Sequence, residues 1–94
     1  MVSMTNLSLR ELAGMWVSSD CNVSMWITLE ANHVEVYYDR RVVVSEPLNF
    51  LYDKERNIRK ISDSVLLYQL FEIDEILIRI TIGDKICDFF LKKR

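Results

Sequence analysis

The stretch that decides the fold runs from Val65 to Leu91 and reads VLLYQLFEIDEILIRITIGDKICDFFL. Two short turn signals, Asp74-Glu75 and Gly83-Asp84, divide it into three apolar runs. Polar or glycine-containing turns between short apolar runs are typical of β-hairpins. The stretch therefore predicts a three-stranded antiparallel meander, and we expect it to form the centre of the core because it is the most apolar part of the chain.

The middle run of this meander alternates between apolar and polar residues. Side chains in a strand point to opposite faces in turn, so alternation predicts one buried face and one solvent face. The buried face is predicted to carry Ile76, Ile78, Ile80 and Ile82, and the opposite face Arg79 and Thr81.

The chain before the meander repeats the same kind of pattern. Alternation is clearest from Val23 to Glu30, where Leu29 falls in the apolar row, and it continues from His33 to Asp39. We expect Val42 and Val44 to point inward in the next strand. About eight strands separated by short turns indicate an all-β barrel or sandwich built from next-neighbour pairs.

One short helix is predicted at the start of the chain. Ser8 and Glu11 have the spacing of a capping box, and Gly14 suits the left-handed position that ends a helix. We expect residues 1–6 to form a loose tail before it. No other helix is indicated convincingly.

The helix leads into Leu12-Ala13-Gly14-Met15-Trp16, which places a G-x-W motif at the start of the first strand. This motif after a short helix resembles the opening of lipocalin-like (calycin-type) barrels, in which the helix closes one end and the Trp packs at the base. The resemblance implies an up-and-down antiparallel barrel of about eight short strands with one short N-terminal helix. It implies no particular ligand, since small barrels of this kind also serve as protease inhibitors, secretion accessories and regulators.

The composition indicates a single domain over residues 1–94. Half of the residues are hydrophobic, while only two are glycine and one is proline, which argues against disorder and against a loop-rich scaffold. The net charge of −2 gives no bulk attraction for nucleic acid. A basic segment from Lys54 to Lys60 has no interleaved aromatic residue for base stacking, and its charges are those of an exposed strand edge. We therefore expect no nucleic-acid partner.

The cysteine pattern and the N-terminal sequence indicate a cytoplasmic location. Cys21 and Cys87 are too few and too far apart for a C-x-x-C motif, and we expect two free thiols in a reducing compartment. The alternative is one disulfide in a secreted form. Residues 1–10 lack the apolar core of a signal peptide. A secreted or periplasmic location stays open if a leader was removed. No apolar run is long enough for a membrane helix, and we expect no membrane association.

The residues for familiar enzyme chemistry are scarce. His33 is the sole histidine, and its place beside a turn indicates a solvated strand end. A zinc site needs about four Cys or His ligands, and the chain has three such residues. Two glycines cannot form a phosphate-binding loop. We expect no enzymatic activity, no metal and no cofactor.

Two aromatic residues stand out as candidate partner-binding residues. Trp26 and Tyr37 fall on the faces opposite the regular apolar rows, and exposed Trp and Tyr are favoured as interface anchors. The alternative is that the helix, a loop or the other half of the chain covers them. Arg40 and Arg41 could add steering toward an acidic partner.

The sequence favours a non-enzymatic barrel that binds another protein, as an inhibitor, secretion accessory, immunity factor or regulator. The alternative is a carrier of a small apolar ligand inside a lipocalin-like barrel. A pocket above roughly 300 Å³ lined by Ile and Val would favour the carrier. A solid core with exposed Trp and Tyr would favour the protein binder. A homodimer through an exposed strand edge stays open as well.

Overall fold

The structure, a computed structural model, describes residues 9–53, 55, 58–70 and 75–94. Most of these residues lie in strands, and the prediction of an all-β chain with one short helix is confirmed. Helix α1 comprises Leu9–Leu12. The strands are β1 (Gly14–Val17), β2 (Val23–Thr28), β3 (His33–Tyr38), β4 (Arg41–Pro47), β5 (Leu51–Asp53), β6 (Ile58–Ser62), β7 (Val65–Leu70), β8 (Glu75–Ile82) and β9 (Lys85–Lys93).

The strands form one antiparallel sheet in the order β4-β3-β2-β1-β9-β8-β7-β6-β5. Strands that follow each other in sequence are paired, except β4 and β5, which stand at the two ends of the order. β1 also pairs with β9 and so brings the two ends of the chain together. The predicted meander is the unit β7-β8-β9. The sheet curls into a nearly closed up-and-down barrel, as the sequence predicted.

The barrel closes where β4 passes into β5. Because all neighbouring pairs are antiparallel and the order contains nine strands, its two end strands run in the same direction. The Leu48 amide donates to the Asn32 carbonyl at 3.0 Å, which extends the pairing with β3. The next amide, of Asn49, donates to the Ile61 carbonyl at 2.8 Å on the β6 side. β4 and β5 thus act as one long strand that changes partner, which accounts for the prediction of about eight strands.

The inward faces of the strands fill the barrel with aliphatic side chains. Along β8 the alternation is as predicted, because Ile76, Ile78 and Ile80 are fully buried while Thr81 faces solvent. Ile82, the last of the predicted row, is half-buried near one end of the barrel. In the described part of the chain, the other fully buried apolar side chains include Leu12, Val23, Met25, Ile27, Val34, Val36, Ile61, Val65, Leu67 and Leu91.

Helix α1 and the G-x-W motif close one end of the barrel. Trp16 is buried, and its Nε1 donates to the Leu12 carbonyl at 2.9 Å. The Nζ of Lys93 donates to the Glu11 carbonyl at 2.9 Å and lies 5.8 Å from the centre of the Trp16 ring. The last strand therefore holds the helix, whose four residues are too few to be stable alone.

Two side chains do not point where the alternation predicted. Val42 was expected inside but is 51% exposed. A register shift opposite Val36 and Tyr37 inserts Val43 as an extra residue, so Val42 faces outward across from Tyr37 while Val44 remains buried. Leu29, expected in the apolar row of β2, lies in the turn after Thr28 and is 37% exposed.

Several features named from the sequence lie outside the described residues. They include Ser8 of the capping box, the tail over residues 1–6 and Asp74 of the first meander turn. Among the residues that the structure describes, no helix combines the length and the apolar character needed to cross a membrane.

Candidate functional site

The ring of Trp26 lies on the outer surface of β2. It is 48% exposed, whereas its neighbours Met25 and Ile27 are buried in the barrel. Across the sheet, Trp26 stands opposite Met15 on β1 and Glu35 on β3. Period-two alternation placed this ring correctly, and neither the helix nor a described loop covers it.

Tyr37 shares the outer surface with Trp26. It stands opposite Ser24, and Trp26 stands opposite Glu35, so the two rings are diagonal neighbours whose Cα atoms are roughly 7–8 Å apart. The Tyr37 hydroxyl donates to Glu35 Oε2 at 3.3 Å. The charge of Glu35 raises the pKa of Tyr37, and partial desolvation acts in the same direction. Tyr37 is therefore a half-buried ring that keeps its proton and is held beside a carboxylate.

The two candidate arginines lie at one end of this surface. The Asp39-Arg40 turn has positive φ at both residues, 51° and 68°, as a type I′ hairpin requires. Arg40 and Arg41 are exposed, and Arg41 stands opposite Tyr38. Val42 follows and adds an exposed apolar side chain opposite Tyr37.

We call the outward-facing side chains of β2, β3 and the start of β4 the outer hairpin face. The structure brings together on it the two predicted aromatic rings, with Arg40 in the turn beyond Tyr37. Arg41 is not brought to this face, because it pairs with Tyr38 on the inner side of the hairpin. Sequence analysis missed Val42 because the register shift that turns it outward leaves no mark in a run of three valines. The members used below are Trp26, Glu35, Tyr37 and Val42, and Arg40 lies in the turn at the end of the face.

A second candidate site lies at the end of the barrel opposite helix α1. It is an open cavity of about 400 Å³ between the β3–β4 hairpin and the β8–β9 hairpin, and we call it the mouth cup. The rings of Tyr38 and Phe89 meet at 6.1 Å between centroids and form one of its walls. The full lining is Tyr38, Val43, Ile82, Lys85, Cys87 and Phe89.

The mouth cup exists because β1 is shorter than its neighbour. Pairing of β1 with β9 extends only to Val17 opposite Lys92, whereas β9 begins at Lys85. β1 ends where a tight loop turns the chain back, since the Ser18 amide donates to the Val23 carbonyl at 2.9 Å. Within that loop Asp20 accepts from the Ser18 hydroxyl at 2.7 Å, an interaction that lowers the pKa of Asp20. The first residues of β9 therefore extend past β1 and border an open space.

The outer surface of β7, β8 and β9 carries a polar cluster. Arg79 donates to both oxygens of Asp88, at 2.7 and 2.9 Å, and its guanidinium lies 4.5 Å from the centre of the Tyr68 ring. Hydrogen bonding from Arg79 lowers the pKa of Asp88. Ile86 and Phe90 flank this cluster and are 64% and 56% exposed. The fixed geometry of the arginine indicates a cross-strand staple rather than a free binding group.

The nucleophilic and metal-binding residue types are scattered. His33 contacts the Ser45 hydroxyl at 2.8 Å, Cys21 is exposed in the loop after β1, and Cys87 lines the mouth cup. Both thiols are free in the structure. Over the described ranges, no group of three Cys, His, Asp or Glu side chains is placed to hold a metal ion.

The basic segment from Lys54 to Lys60 is not a uniform charged edge. Arg59 turns inward, is only 6% exposed and places its guanidinium 5.2 Å from the centre of the Phe50 ring. Lys60 pairs with Asp63 at 3.1 Å. The prediction that the charges of this segment lie on a solvated strand edge is therefore wrong for Arg59, which is buried.

Comparisons with protein families, with curated proteins and with solved structures find no match for this chain. The barrel is established by the strand order and pairing. The resemblance to lipocalin-like barrels rests on the G-x-W motif and the helix that packs on it.

Proposed function

We propose that this protein is a non-enzymatic binding barrel that acts on another protein through the outer hairpin face. The observation that carries the proposal is the exposure of Trp26. A tryptophan with half of its surface in water, on a strand whose alternate residues are fully buried, costs solvation without contributing to the core. Such a ring is a favoured anchor of protein interfaces.

The chemistry of the face predicts the chemistry of the partner. Trp26 and Val42 supply apolar area, and Tyr37 supplies a ring with a fixed hydroxyl. Arg40, in the turn at the end of the face, favours a partner with acidic side chains beside an apolar centre, and the exposed Arg41 adds positive charge at the same end of the hairpin. The role of the complex, as inhibition, secretion, immunity or regulation, follows from the identity of that partner.

We also propose that the barrel is lipocalin-like. The packing of helix α1 on Trp16 at the closed end supports this type, because it is the arrangement that the G-x-W resemblance implies. The type does not select a function, since barrels of this kind serve in several roles.

The second candidate function is that of a carrier for a small apolar ligand. The mouth cup favours it, because its volume exceeds the roughly 300 Å³ at which ligand sites begin. Its lining contains one Ile and one Val, and the interior beneath it is filled with side chains that are fully buried. A ligand would therefore sit at the mouth rather than deep inside the barrel, which makes the carrier the weaker proposal.

The test is capture of a partner from a lysate of the source cells by immobilised wild-type protein, Trp26→Ala and Ile86→Ala. Ile86 is the matched control, since it is also an exposed apolar residue but lies on the outer surface of β9. We expect the wild type to capture a partner that Trp26→Ala binds more weakly, by at least about 2 kcal/mol in binding free energy. Ile86→Ala should bind the same partner as strongly as the wild type. Equal capture by wild type and Trp26→Ala would contradict the outer hairpin face as the interface.

Cytoplasmic location and the homodimer also remain proposals. The two free thiols support a reducing compartment, and intact mass after alkylation without reduction tests it, because a bridged pair would take up no alkyl groups. An open edge supports the homodimer: in the described residues, the backbone of β9 from Lys85 to Leu91 pairs with β8 and not with β1. Size-exclusion chromatography over a concentration series tests whether copies associate.

A further inference from the structure

We propose that the mouth cup binds a small apolar molecule that carries a carboxylate group. The inference rests on the second candidate function, the carrier of a small apolar ligand, and names the chemistry of that ligand. It is independent of the outer hairpin face, because the cup uses the inner side of the β3–β4 and β8–β9 hairpins. The argument rests on the size of the cavity, on its apolar walls and on the placement of one charged side chain.

The size of the cup selects a short ligand. A volume of about 400 Å³ lies at the lower end of the range of roughly 300–1,000 Å³ for small-molecule sites. The inward residues next to the lining leave no open space, because Val36, two residues before Tyr38, and Ile80, opposite Cys87, are fully buried. A long chain would therefore extend into solvent, and a short tail suits the space better.

The walls of the cup select an apolar body. The rings of Tyr38 and Phe89 contact each other at a tilted angle, and Val43 and Ile82 add aliphatic surface. Tyr38 is 46% exposed, so an apolar ligand that covers its ring would remove surface from water. Concave sites with mostly apolar walls and few polar groups are typical of ligand pockets.

Lys85 selects the polar group of the ligand. It supplies the charge in the lining, and within the described part of the chain it forms no ion pair. The other charges at the two nearby hairpin turns cancel, since the negative charges of Asp39 and Asp84 are offset by the positive charges of Arg40 and Arg41. A carboxylate beside Lys85 would gain a charge-assisted hydrogen bond, whereas an amine would be repelled.

Cys87 provides a reporter inside the cup. In a Cys21→Ser background it is the one remaining thiol, and a ligand in the cup would shield it from alkylation by iodoacetamide. The probes are octanoate, octanol and octylamine at equal concentrations below those that form micelles. We expect octanoate to slow the alkylation of Cys87 most, octanol less and octylamine least. No protection by any probe, equal protection by all three, or strongest protection by octylamine would each overturn the proposal.

A pair of lysine variants separates the role of Lys85 from general charge. Lys85→Met keeps the length of the side chain and removes its charge, and Lys92→Met does the same on the outer surface of the same strand. We expect Lys85→Met to lower the affinity for octanoate by about two- to fivefold, the range of an exposed ion pair. The affinity for octanol should not change. Unchanged octanoate affinity in Lys85→Met, or an equal loss in Lys92→Met, would overturn the assignment of the carboxylate to Lys85.

The same assay distinguishes this site from the outer hairpin face. Octanoate should slow the alkylation of Cys87 in Trp26→Ala as much as it does without that substitution, because the Trp26 ring lies on the other side of the sheet. Loss of protection in that variant, with an unchanged melting temperature, would show that the ligand does not occupy the cup. Failure of partner capture with intact octanoate protection would contradict only the proposed function.

Discussion

The carboxylate of Glu46 accepts two hydrogen bonds from Ser64, from its amide at 2.6 Å and from its hydroxyl at 3.1 Å. The two residues belong to β4 and to the turn between β6 and β7, which lie near opposite ends of the strand order. Ser64 in turn accepts from the Thr81 amide through its carbonyl at 2.9 Å, which ties the turn to β8. The Glu46–Ser64 pair therefore fastens the seam at which the sheet closes into a barrel.

Removing this pair should loosen the seam. We expect Glu46→Ala to lower the free energy of unfolding by about 1.5–3 kcal/mol, the worth of hydrogen bonds to a charged group. Glu30→Ala, in an exposed turn, is the control and should change it by less than about 0.5 kcal/mol. Urea denaturation measures both. Equal effects of the two substitutions would mean that the seam is held by the backbone bond at Asn49 and not by Glu46.

The inward row of β8 carries much of the core. We expect Ile78→Ala or Ile80→Ala to cost about 2–5 kcal/mol, because each side chain is fully buried and would leave a cavity. Thr81→Ala, on the solvent face of the same strand, should cost less than about 0.5 kcal/mol. Chemical denaturation of the three variants tests the assignment of faces, which equal losses would contradict.

The bulge in β4 makes a sharp prediction for two neighbouring valines. Threonine matches valine in shape and has a hydroxyl in place of one methyl group, which is costly only where the hydroxyl is buried without a partner. Val44→Thr should destabilise the protein by about 1–3 kcal/mol, since Val44 is buried. Val42→Thr should be nearly neutral, because Val42 faces water and both residues favour strands. Equal losses in thermal or urea melts would indicate the unbulged register, in which both valines point inward, and a larger loss from Val42→Thr would also contradict the bulge.

The Arg79–Asp88 pair makes stability depend on pH in the acid range. Its hydrogen bonds lower the pKa of Asp88 in the folded state, so the folded state favours the ionised carboxylate more than the unfolded chain does. The resulting stabilisation is present above the unfolded pKa of about 3.9 and is lost as the pH falls through the lower folded value. The effect is small, because both side chains are more than a third exposed.

Urea denaturation of wild type and Asp88→Asn between pH 7 and pH 2 measures this contribution. The difference in unfolding free energy should be constant at neutral pH and shrink below about pH 4. In an Arg79→Met background the same substitution should give no such pH-dependent difference. A difference that persists unchanged to pH 2 would show that Asp88 acts by packing rather than by charge.

Local sequence determined the elements, the turns and most of the faces. Alternation placed Ile78 inside and Trp26 outside, because side chains in any strand point to opposite sides in turn. Gly83 and Asp39-Arg40 fixed two hairpin turns through the positive φ angles that they adopt. These signals are carried by neighbouring residues, and they can be read without knowing which strands pair.

Only the tertiary structure decided the features that depend on contacts between distant strands. Val42, Val43 and Val44 offer no local preference, and the pairing of β4 with β3 chose which of them points outward. Arg59 turned inward because the closing strand brought the Phe50 ring beside it. The mouth cup, likewise, exists because β1 ends at Val17, opposite Lys92, whereas β9 begins at Lys85 and so extends past it. Strand register, closure and relative strand length are set by the packing of the whole barrel, and a period of two along one strand contains no information about them.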